Sequence, residues 1–373
     1  MKIKNIDLFS PYIVVVIIGL YVALALVGFA NHLRNLQYPD PATFFYIIYG
    51  ILFFVLGVLA PWLIYRYTGR LKTFFEKPKM EGVDPAWYSK LKILLDERIL
   101  LGVVIFSLIL QGINLYLLGG IPLFSGYLKF KATTDLWRIA YPLFLPALAL
   151  LLAKYSKKWY YIFFLVGLVL FGMSGYRTTT IAIILVVFIV TYYKYRLKTT
   201  HILSFIAFIT VVGIAVGYIA VKSIEWQHWS LNPLDLLFYR AAFTTMVLSK
   251  IVAMQGATGG NLLMQIFSSG HPRVTVGATA LGYNATITST IFGPALLDFG
   301  AIGLAVQMFL MGLALKIVYN LQKLIKGAYV GLYAIILAHT LIWVETGPTD
   351  ITVWLFYALA LLGALVYWFR YSK

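Results

Sequence analysis

The sequence predicts an all-α polytopic membrane protein with about ten transmembrane helices, and three observations carry this prediction. Of the 373 residues, 61% are hydrophobic and only 12% are charged, roughly half the charged share of a soluble domain. Apolar residues form continuous runs of about 17–22, close to the roughly 20 helical residues that cross a hydrocarbon core. The runs lack the alternation of a transmembrane barrel, so helices are expected.

Ten apolar runs are the expected spans of a single integral membrane domain, residues 1–373. Their approximate bounds are 12–30, 44–65, 99–118, 138–153, 159–175, 178–195, 202–221, 299–319, 329–344 and 351–369. Two longer connections separate them, a basic loop at 66–98 and a segment at 223–289. No internal repeat is evident.

Basic residues between the spans predict the orientation, because cytoplasmic loops carry an excess of Lys and Arg. If all ten runs cross and both termini are cytoplasmic, every basic cluster lies on the cytoplasmic side of the plasma membrane. The loop at 66–98 is then cytoplasmic and the segment at 223–289 is external. The net charge of +17 follows from these loops and needs no nucleic-acid partner. The clusters lie at 2–4, 66–98, 154–158, 194–198, 316–326 and 370–373.

The external segment contains one predicted helix. Asn232 and Pro233 precede an apolar stretch to about residue 254, which is typical of a capped helix with proline at its first position. A further crossing here would move the basic residues at 316–326 outside, so the helix near 233–254 is expected to lie at the membrane interface. The remainder, 256–284, is rich in Gly, Thr and Ser and is expected to be a loop.

The sequence lacks the motifs that several types of catalysis require. Cysteine is absent, and there is no phosphate-binding G-x-x-x-x-G-K-[ST] loop, no H-E-x-x-H pair and no Asp-x-Asp pair. No His and carboxylate cluster has metal-ligand spacing. Any catalysis is therefore expected to use a pre-activated substrate, with no metal and no cofactor.

Charged residues gather on the predicted external face. Arginines that converge there would suit a diphosphate, whose oxygens accept paired hydrogen bonds, and would stabilise charge on a leaving diphosphate. A histidine or carboxylate would take the proton from an attacking sugar hydroxyl. This combination predicts glycosyl transfer from a polyprenyl-diphosphate donor. The candidates are Arg177, Glu225, His228, Arg240, Lys250, His271, Arg273 and Asp298.

Each candidate also has a structural interpretation. Arg177 would be a snorkelling anchor at a helix end, and Arg240 and Lys250 would belong to a helix lying in lipid headgroups. His271 would be an ordinary loop residue. Asp298 would cap the helix that follows it, where a carboxylate accepts from free N–H groups.

Two segments resemble the oligosaccharide repeat-unit polymerases, also called O-antigen polymerases. The segment 173–179, Met-Ser-Gly-Tyr-Arg-Thr-Thr, is similar to their small-Gly-x-Arg turn at the outer start of a helix. The segment 286–303, which contains Asp298-Phe299-Gly300, is similar to the stretch after their large external loop. The resemblance implies a membrane glycosyltransferase fold of the GT-C type, in its polymerase and ligase branch.

The resemblance also implies roles for individual residues. By position, Arg177 matches the arginine of the small-Gly-x-Arg turn, and Arg240 and Arg273 match the basic residues of the large loop. These arginines, with Lys250, are expected to bind the diphosphate. The base has no clear counterpart; it is predicted to be His271, with Glu225 and His228 as alternatives and Asp298 as a further site residue.

The implied activity joins glycan units carried on polyprenyl diphosphate, without a metal, on the outer face. The expected partners are the lipid-linked donor and acceptor and membrane lipid, with a flippase or chain-length regulator as possible associates. Three alternatives stay open: a glycan ligase of the same superfamily, a flippase or other transporter, and a non-catalytic scaffold. Transporters usually bind substrate near the bilayer midplane, where this chain has few charges, and this disfavours transport.

Overall fold

The computed structural model describes residues 7–69, 71–76, 93–155, 157–195, 197, 199–222, 231–268 and 270–371, and within them every regular element is a helix. Short 3₁₀ turns lie at Leu33–Asn35, Lys72–Phe74, Pro122–Phe124 and Lys158–Tyr160. The α-helices are α1 (Ile13–Ala30), α2 (Pro41–Thr68), α3 (Glu97–Leu117), α4 (Gly126–Lys131), α5 (Asp135–Lys154), α6 (Tyr161–Gly172), α7 (Arg177–Tyr195), α8 (Thr199–Lys222), α9 (Pro233–Ala253), α10 (Asn261–Phe267), α11 (Pro272–Leu281), α12 (Gly293–Ile325), α13 (Ala328–Thr346) and α14 (Ile351–Tyr371).

Ten helices in the described part of the chain are long and apolar enough to cross a membrane, so the predicted multi-pass architecture of about ten spans is confirmed. They are α1, α2, α3, α5, α7, α8, α9, α12, α13 and α14. The set differs from the expected one at two positions. The predicted span at 159–175 is the shorter helix α6, of 12 residues, and α9 has the length of a span.

The chain divides into two compact units. One comprises residues 1–72, 234–319 and 339–357, and the other comprises residues 73–233, 320–338 and 358–373. Helices α12, α13 and α14 therefore each contribute residues to both units. Most of the predicted cytoplasmic loop at 66–98 lies outside the described residues.

In the second unit, contacts at the helix ends define two opposite sides. Lys194, near the end of α7, donates to Leu152 O at 2.5 Å and to Tyr155 O at 2.6 Å, at the end of α5. Tyr161, at the start of α6, is 2.9 Å from Thr191 of α7 through their hydroxyl oxygens. The end of α5, the start of α6 and the end of α7 therefore lie on one side.

Contacts near the other ends of these helices lie on the opposite side. Met173, just after α6, accepts through its carbonyl from Leu123 N at 2.9 Å, and Tyr176 donates to Lys129 O at 2.8 Å. Because α7 is 19 residues long, about 28 Å, these contacts lie far from Thr191. Short as it is, α6 therefore connects the two sides of this unit, as the predicted topology requires.

In the first unit, helices α2 and α12 approach closely through two glycines. A Cβ on Gly57 would lie 2.1 Å from Phe309 O, and a Cβ on Gly312 would lie 2.2 Å from Phe54 O. Small residues permit such backbone approach, which is a common basis of helix packing in membranes. Since neither position has room for a methyl group, glycine is required at both.

Candidate functional site

Arg240 lies on α9 and forms an ion pair with Glu345 at the end of α13. Its Nη2 is 3.2 Å from Glu345 Oε1 and donates a second hydrogen bond to Thr288 Oγ1 at 3.3 Å. The two charged side chains are 31% and 23% exposed, respectively. The pair is thus partly enclosed yet still reachable from outside the protein.

Arg273 lies on α11 and forms a second, similar arrangement. Its Nη2 donates to Asp350 Oδ2 at 2.5 Å, and its Nε donates to Thr349 Oγ1 at 2.9 Å. The side chains of Arg273 and Asp350 are 27% and 48% exposed. As with Arg240, the guanidinium contacts one carboxylate and one threonine hydroxyl.

Both arginines contact the turn that joins α13 to α14. Glu345 and Asp350 stand at its two ends, five residues apart, so the turn holds two guanidinium groups that are 33 positions apart in the sequence. Two carboxylates and two threonine hydroxyls contact these arginines. We call this set the arginine site: Arg240, Arg273, Thr288, Glu345, Thr349 and Asp350.

The segment Thr288-Ser289-Thr290, which we call the hydroxyl-rich strap, contributes Thr288 to the arginine site. Thr290 N donates to Glu345 O at 3.3 Å, and a Cβ on Gly347 would lie 2.8 Å from Thr290 O. Thr290 has a φ of 51°, a left-handed conformation that costs a β-branched residue of order 1–3 kcal/mol and that clusters at functional sites. The strap is therefore held tightly against the turn.

Three polar atoms near the turn are buried without a hydrogen-bond partner in the described part of the chain: Ser289 Oγ, Thr290 Oγ1 and Trp343 Nε1. The Trp343 ring stacks on Tyr357 with centroids 5.6 Å apart and also contacts Trp354. Buried polar groups are normally bonded. Hydroxyls together with aromatic rings are suited to a sugar, which has polar edges and apolar faces.

Asp298 caps a helix other than the one that follows it, so that structural interpretation of the sequence is corrected. Its Oδ1 accepts from Leu262 N at 3.0 Å and from Thr258 Oγ1 at 2.5 Å, and its Oδ2 accepts from Leu263 N at 2.7 Å. The carboxylate therefore satisfies N–H groups at the start of α10, 35 and 36 residues earlier in the chain. The residue is 4% exposed. Its buried carboxylate therefore holds the start of α10 in place.

The two residues after Asp298 complete this clamp. Phe299 packs its ring against Gly260, where a Cβ would lie 3.1 Å from the ring carbons. Gly300 interrupts α12 with a φ of 62° and a ψ of −154°, a conformation that is essentially restricted to glycine. The sequence Asp-Phe-Gly thus has a structural basis in this chain: it caps α10, packs against it and turns the helix.

We expect Asp298→Ala to destabilise the protein by about 2–4 kcal/mol, because three hydrogen bonds to a buried carboxylate are lost and two N–H groups are left without an acceptor. The measurement is thermal unfolding of the purified protein in detergent. Asp235→Ala on α9 is the control, since Asp235 lies outside this clamp. Equal unfolding temperatures for the Asp298 variant and the wild type would contradict the clamp.

The prediction that 256–284 is a loop was wrong. Two helices, α10 and α11, occupy most of this segment. A Cβ on Gly277 of α11 would lie 2.3 Å from Ala285 O, and Ile287 N donates to Arg273 O at 3.1 Å. These contacts pack α11 against the chain that leads into the strap, and so fix the position of Arg273.

Two other sequence candidates, Lys250 and His271, lie within the described residues but are not members of the arginine site. Lys250 is 10 residues beyond Arg240 on α9, about 15 Å along the helix axis, and donates to Gln37 Oε1 at 2.8 Å. His271 is exposed at the N-cap of α11, two residues before Arg273. Glu225 and His228 lie outside the described residues.

Arg177 belongs to the second unit and begins α7. Its Nη1 would lie 3.3 Å from a Cβ on Gly217 of α8, so the side chain packs closely against that helix. Gly175, two residues earlier, has a φ of 75°, which explains why the turn before this arginine contains glycine. No group of three His, Cys, Asp or Glu residues within the described ranges could hold a metal ion.

Helix α9 packs along the second half of α1, where the two helices share a buried cluster of Ala25, Phe29, Ala241 and Ala242. A Cβ on Gly28, near that end, would lie 2.5 Å from Phe238 O, while Lys250 bonds Gln37 in the connection between α1 and α2. Phe238 and Lys250 are about 18 Å apart along α9, yet both contact the same end of α1 and the connection after it. Tyr21 OH of α1 also lies 2.5 Å from Thr244 Oγ1 of α9, so α9 lies beside the body of α1 as well. Its interfacial placement stays a prediction.

A family model described as "Putative O-antigen polymerase" matches residues 7–357, nearly the whole chain. The chain belongs to the O-antigen polymerase family. The resemblance recognised in the sequence is thereby confirmed. For a member of this family, two arginines paired with the carboxylates at the α13–α14 turn are the feature of most functional interest.

This O-antigen polymerase family member is also similar to two uncharacterized proteins of Methanocaldococcus jannaschii. It is 26% identical to MJ0419 over 296 residues, which are 75% of this chain and 79% of the relative. It is 28% identical to MJ0420 over 355 residues, which are 89% of this chain and 88% of the relative. No solved structure matches the chain significantly.

Four members of the arginine site in this O-antigen polymerase family member were assigned no site role from the sequence. Glu345 and Asp350 were noted only as carboxylates that flank the last predicted external turn. Thr288 and Thr349 carried no signal, because isolated threonines are common in external segments. Only the folded structure shows that each arginine contacts one threonine hydroxyl and one carboxylate.

Proposed function

We propose that this protein is a glycosyltransferase of the GT-C type that polymerises oligosaccharide units carried on polyprenyl diphosphate, on the extracytoplasmic face of the plasma membrane. The observation that carries the proposal is the pair of guanidinium groups held on one turn, at Glu345 and Asp350. Family membership supports a membrane polymerase, and the arginine site supplies chemistry that such an activity needs.

Arg240 and Arg273 would bind the diphosphate of the lipid-linked donor. A guanidinium donates several N–H groups in a fixed plane and suits phosphate oxygens. When the bond between the anomeric carbon and the diphosphate breaks, negative charge builds on the leaving group, and fixed cations stabilise that charge. This positive charge takes the place of a metal ion in the proposed reaction.

Two further basic residues have proposed roles. Arg177 would add a third guanidinium from the outer start of α7, as the family resemblance implies. Lys250, on the same helix as Arg240, would contact lipid phosphate near the α1–α2 connection. The proposed base is His271 or a carboxylate beside the arginines, since either can take the proton of an acceptor hydroxyl.

The proposed orientation rests on charge. With cytoplasmic termini, the basic clusters lie inside, and Arg240, Arg273 and the turn at 345–350 lie outside. Contacts in the second unit support this grouping, since Lys194 bonds the end of α5, where the basic residues at 154–158 follow. A flippase or chain-length regulator would supply substrate or limit chain growth from this same face.

The decisive experiment uses purified protein in lipid nanodiscs with a polyprenyl-diphosphate oligosaccharide and a metal chelator. We expect a ladder of products that differ by one repeat unit, resolved by gel electrophoresis and mass spectrometry. Transfer of a single glycan to a different lipid or protein acceptor would instead indicate a ligase. Substrate that crosses the bilayer of proteoliposomes without extension would indicate a flippase and contradict the proposal.

A further inference from the structure

We propose that Glu345 is the catalytic base, and that binding of the donor diphosphate to Arg240 releases it for this role. This inference rests on the proposed function and assigns the proton-accepting residue within it. In the present structure Arg240 contacts Glu345 at 3.2 Å. The carboxylate thus sits beside the group that would hold the leaving diphosphate, and a carboxylate within reach of the attacking hydroxyl can take its proton.

Competition for Arg240 provides the coupling. Arg240 Nη2 contacts both Glu345 and Thr288, and the donor diphosphate, which carries a negative charge on each of its two phosphates, is a stronger partner than one carboxylate. When the diphosphate takes over the guanidinium, Glu345 loses a cation that favours its charged, weakly basic form. The carboxylate then accepts a proton more readily, and it does so only when donor is present.

The position of Glu345 also suits an acceptor sugar. Its backbone carbonyl accepts from Thr290 N, so the residue is fixed to the hydroxyl-rich strap. Buried Ser289 Oγ, Thr290 Oγ1 and Trp343 Nε1 have no hydrogen-bond partner in the described ranges. Thr290 is bonded to Glu345 through its backbone N–H, and Trp343 lies two positions before Glu345, so polar groups that lack a partner within those ranges lie near this residue.

Two bonds form and two bonds break in the proposed step. The acceptor O–H proton passes to the Glu345 carboxylate while its oxygen forms a bond to the anomeric carbon of the donor. The bond between that carbon and the diphosphate oxygen breaks, and its electron pair leaves with the polyprenyl diphosphate, which the arginines neutralise. The proton then passes from Glu345 to water, and the carboxylate pairs again with Arg240.

Asp350 is the less suitable carboxylate. Its side chain is 48% exposed, against 23% for Glu345, so solvent screens it more and displacement from its arginine changes its basicity less. His271 is exposed at the start of α11, whereas Glu345 is paired directly with Arg240. The geometry therefore favours Glu345 over the base predicted from the sequence.

The test compares Glu345→Gln with the wild type in nanodiscs, under conditions in which the wild type forms polymer. We expect kcat to fall about 100-fold or more, the range for loss of a general base. Binding of polyprenyl diphosphate, measured by calorimetry, is expected to stay equal or tighten because Arg240 loses a charged competitor. The acidic limb of the pH profile of kcat should also disappear in the variant.

Two matched variants separate catalysis from structure. Glu97→Gln removes a carboxylate that is 27% exposed and paired with Lys157 at 2.8 Å, and it should retain the wild-type rate within about twofold. Asp350→Asn should leave donor binding equal or tighter, because Arg273 likewise loses a charged competitor, and it should lower kcat less than Glu345→Gln does. If Glu345→Gln forms polymer at a rate within tenfold of the wild type, the inference about Glu345 is wrong while the proposed function stands. Loss of diphosphate binding by this variant would have the same meaning. Absence of any transfer by the wild type would contradict the proposed function as well.

Discussion

Replacing Arg240 with alanine is expected to lower polymer formation at least about 100-fold. Removal of one group that stabilises a developing charge typically costs a factor of 10²–10³ in turnover. The change also leaves the Glu345 carboxylate, which is 23% exposed, without its arginine. The measurement is the initial rate of repeat-unit addition in nanodiscs, together with the affinity for polyprenyl diphosphate.

Arg273→Ala should act in the same direction, and Arg240→Lys should not restore full activity, because a lysine offers a point charge and lacks the planar pair of donors. Arg138→Ala is the control: Arg138 pairs with Asp135 at 3.5 Å, and both side chains are largely exposed. Such surface pairs contribute about 0–1 kcal/mol. A folded Arg240→Ala protein that makes polymer at the wild-type rate would refute the diphosphate role.

The spans could be predicted from the sequence because each one is a local property. Twenty apolar residues in a row need a lipid environment wherever they occur, so helices such as α1 and α14 follow directly from composition. The basic clusters predict the orientation of the spans, and they too can be identified from short stretches of sequence. Helix α6 was predicted too long, since the apolar run continues past Gly172 although the helix ends there.

The arginine site could be predicted only in part, because its members are joined by contacts between distant residues. Arg240 and Glu345 are 105 positions apart, and Arg273 and Asp350 are 77 apart. Single arginines on the predicted external face can be found from charge and topology, but their partners depend on how α9, α10 and α11 pack. Helices α10 and α11 were missed, because the Gly, Thr and Ser content of 256–284 disfavours helix locally.

The clearest consequence of that tertiary packing is the glycine pair between α2 and α12. We expect Gly312→Leu to prevent accumulation of folded protein, and Gly57→Leu to do the same. An added Cβ at Gly312 meets Phe54 O at 2.2 Å, and one at Gly57 meets Phe309 O at 2.1 Å. Backbone atoms cannot rotate away as a flexible side chain can, so the two helices must separate and the packing between them is lost.

The smaller change to alanine should cost about 1–3 kcal/mol at either position, as overpacking usually does. The double alanine variant should cost less than the sum of the two, since helices already moved apart by the first methyl group accommodate the second. The measurement is fluorescence-detected size-exclusion chromatography with thermal challenge. Gly19→Leu on α1 is the control, because nothing lies within 4 Å of its added Cβ. If Gly312→Leu folds as stably as this control, the close approach of α2 and α12 is wrong, and with it the packing of the first unit.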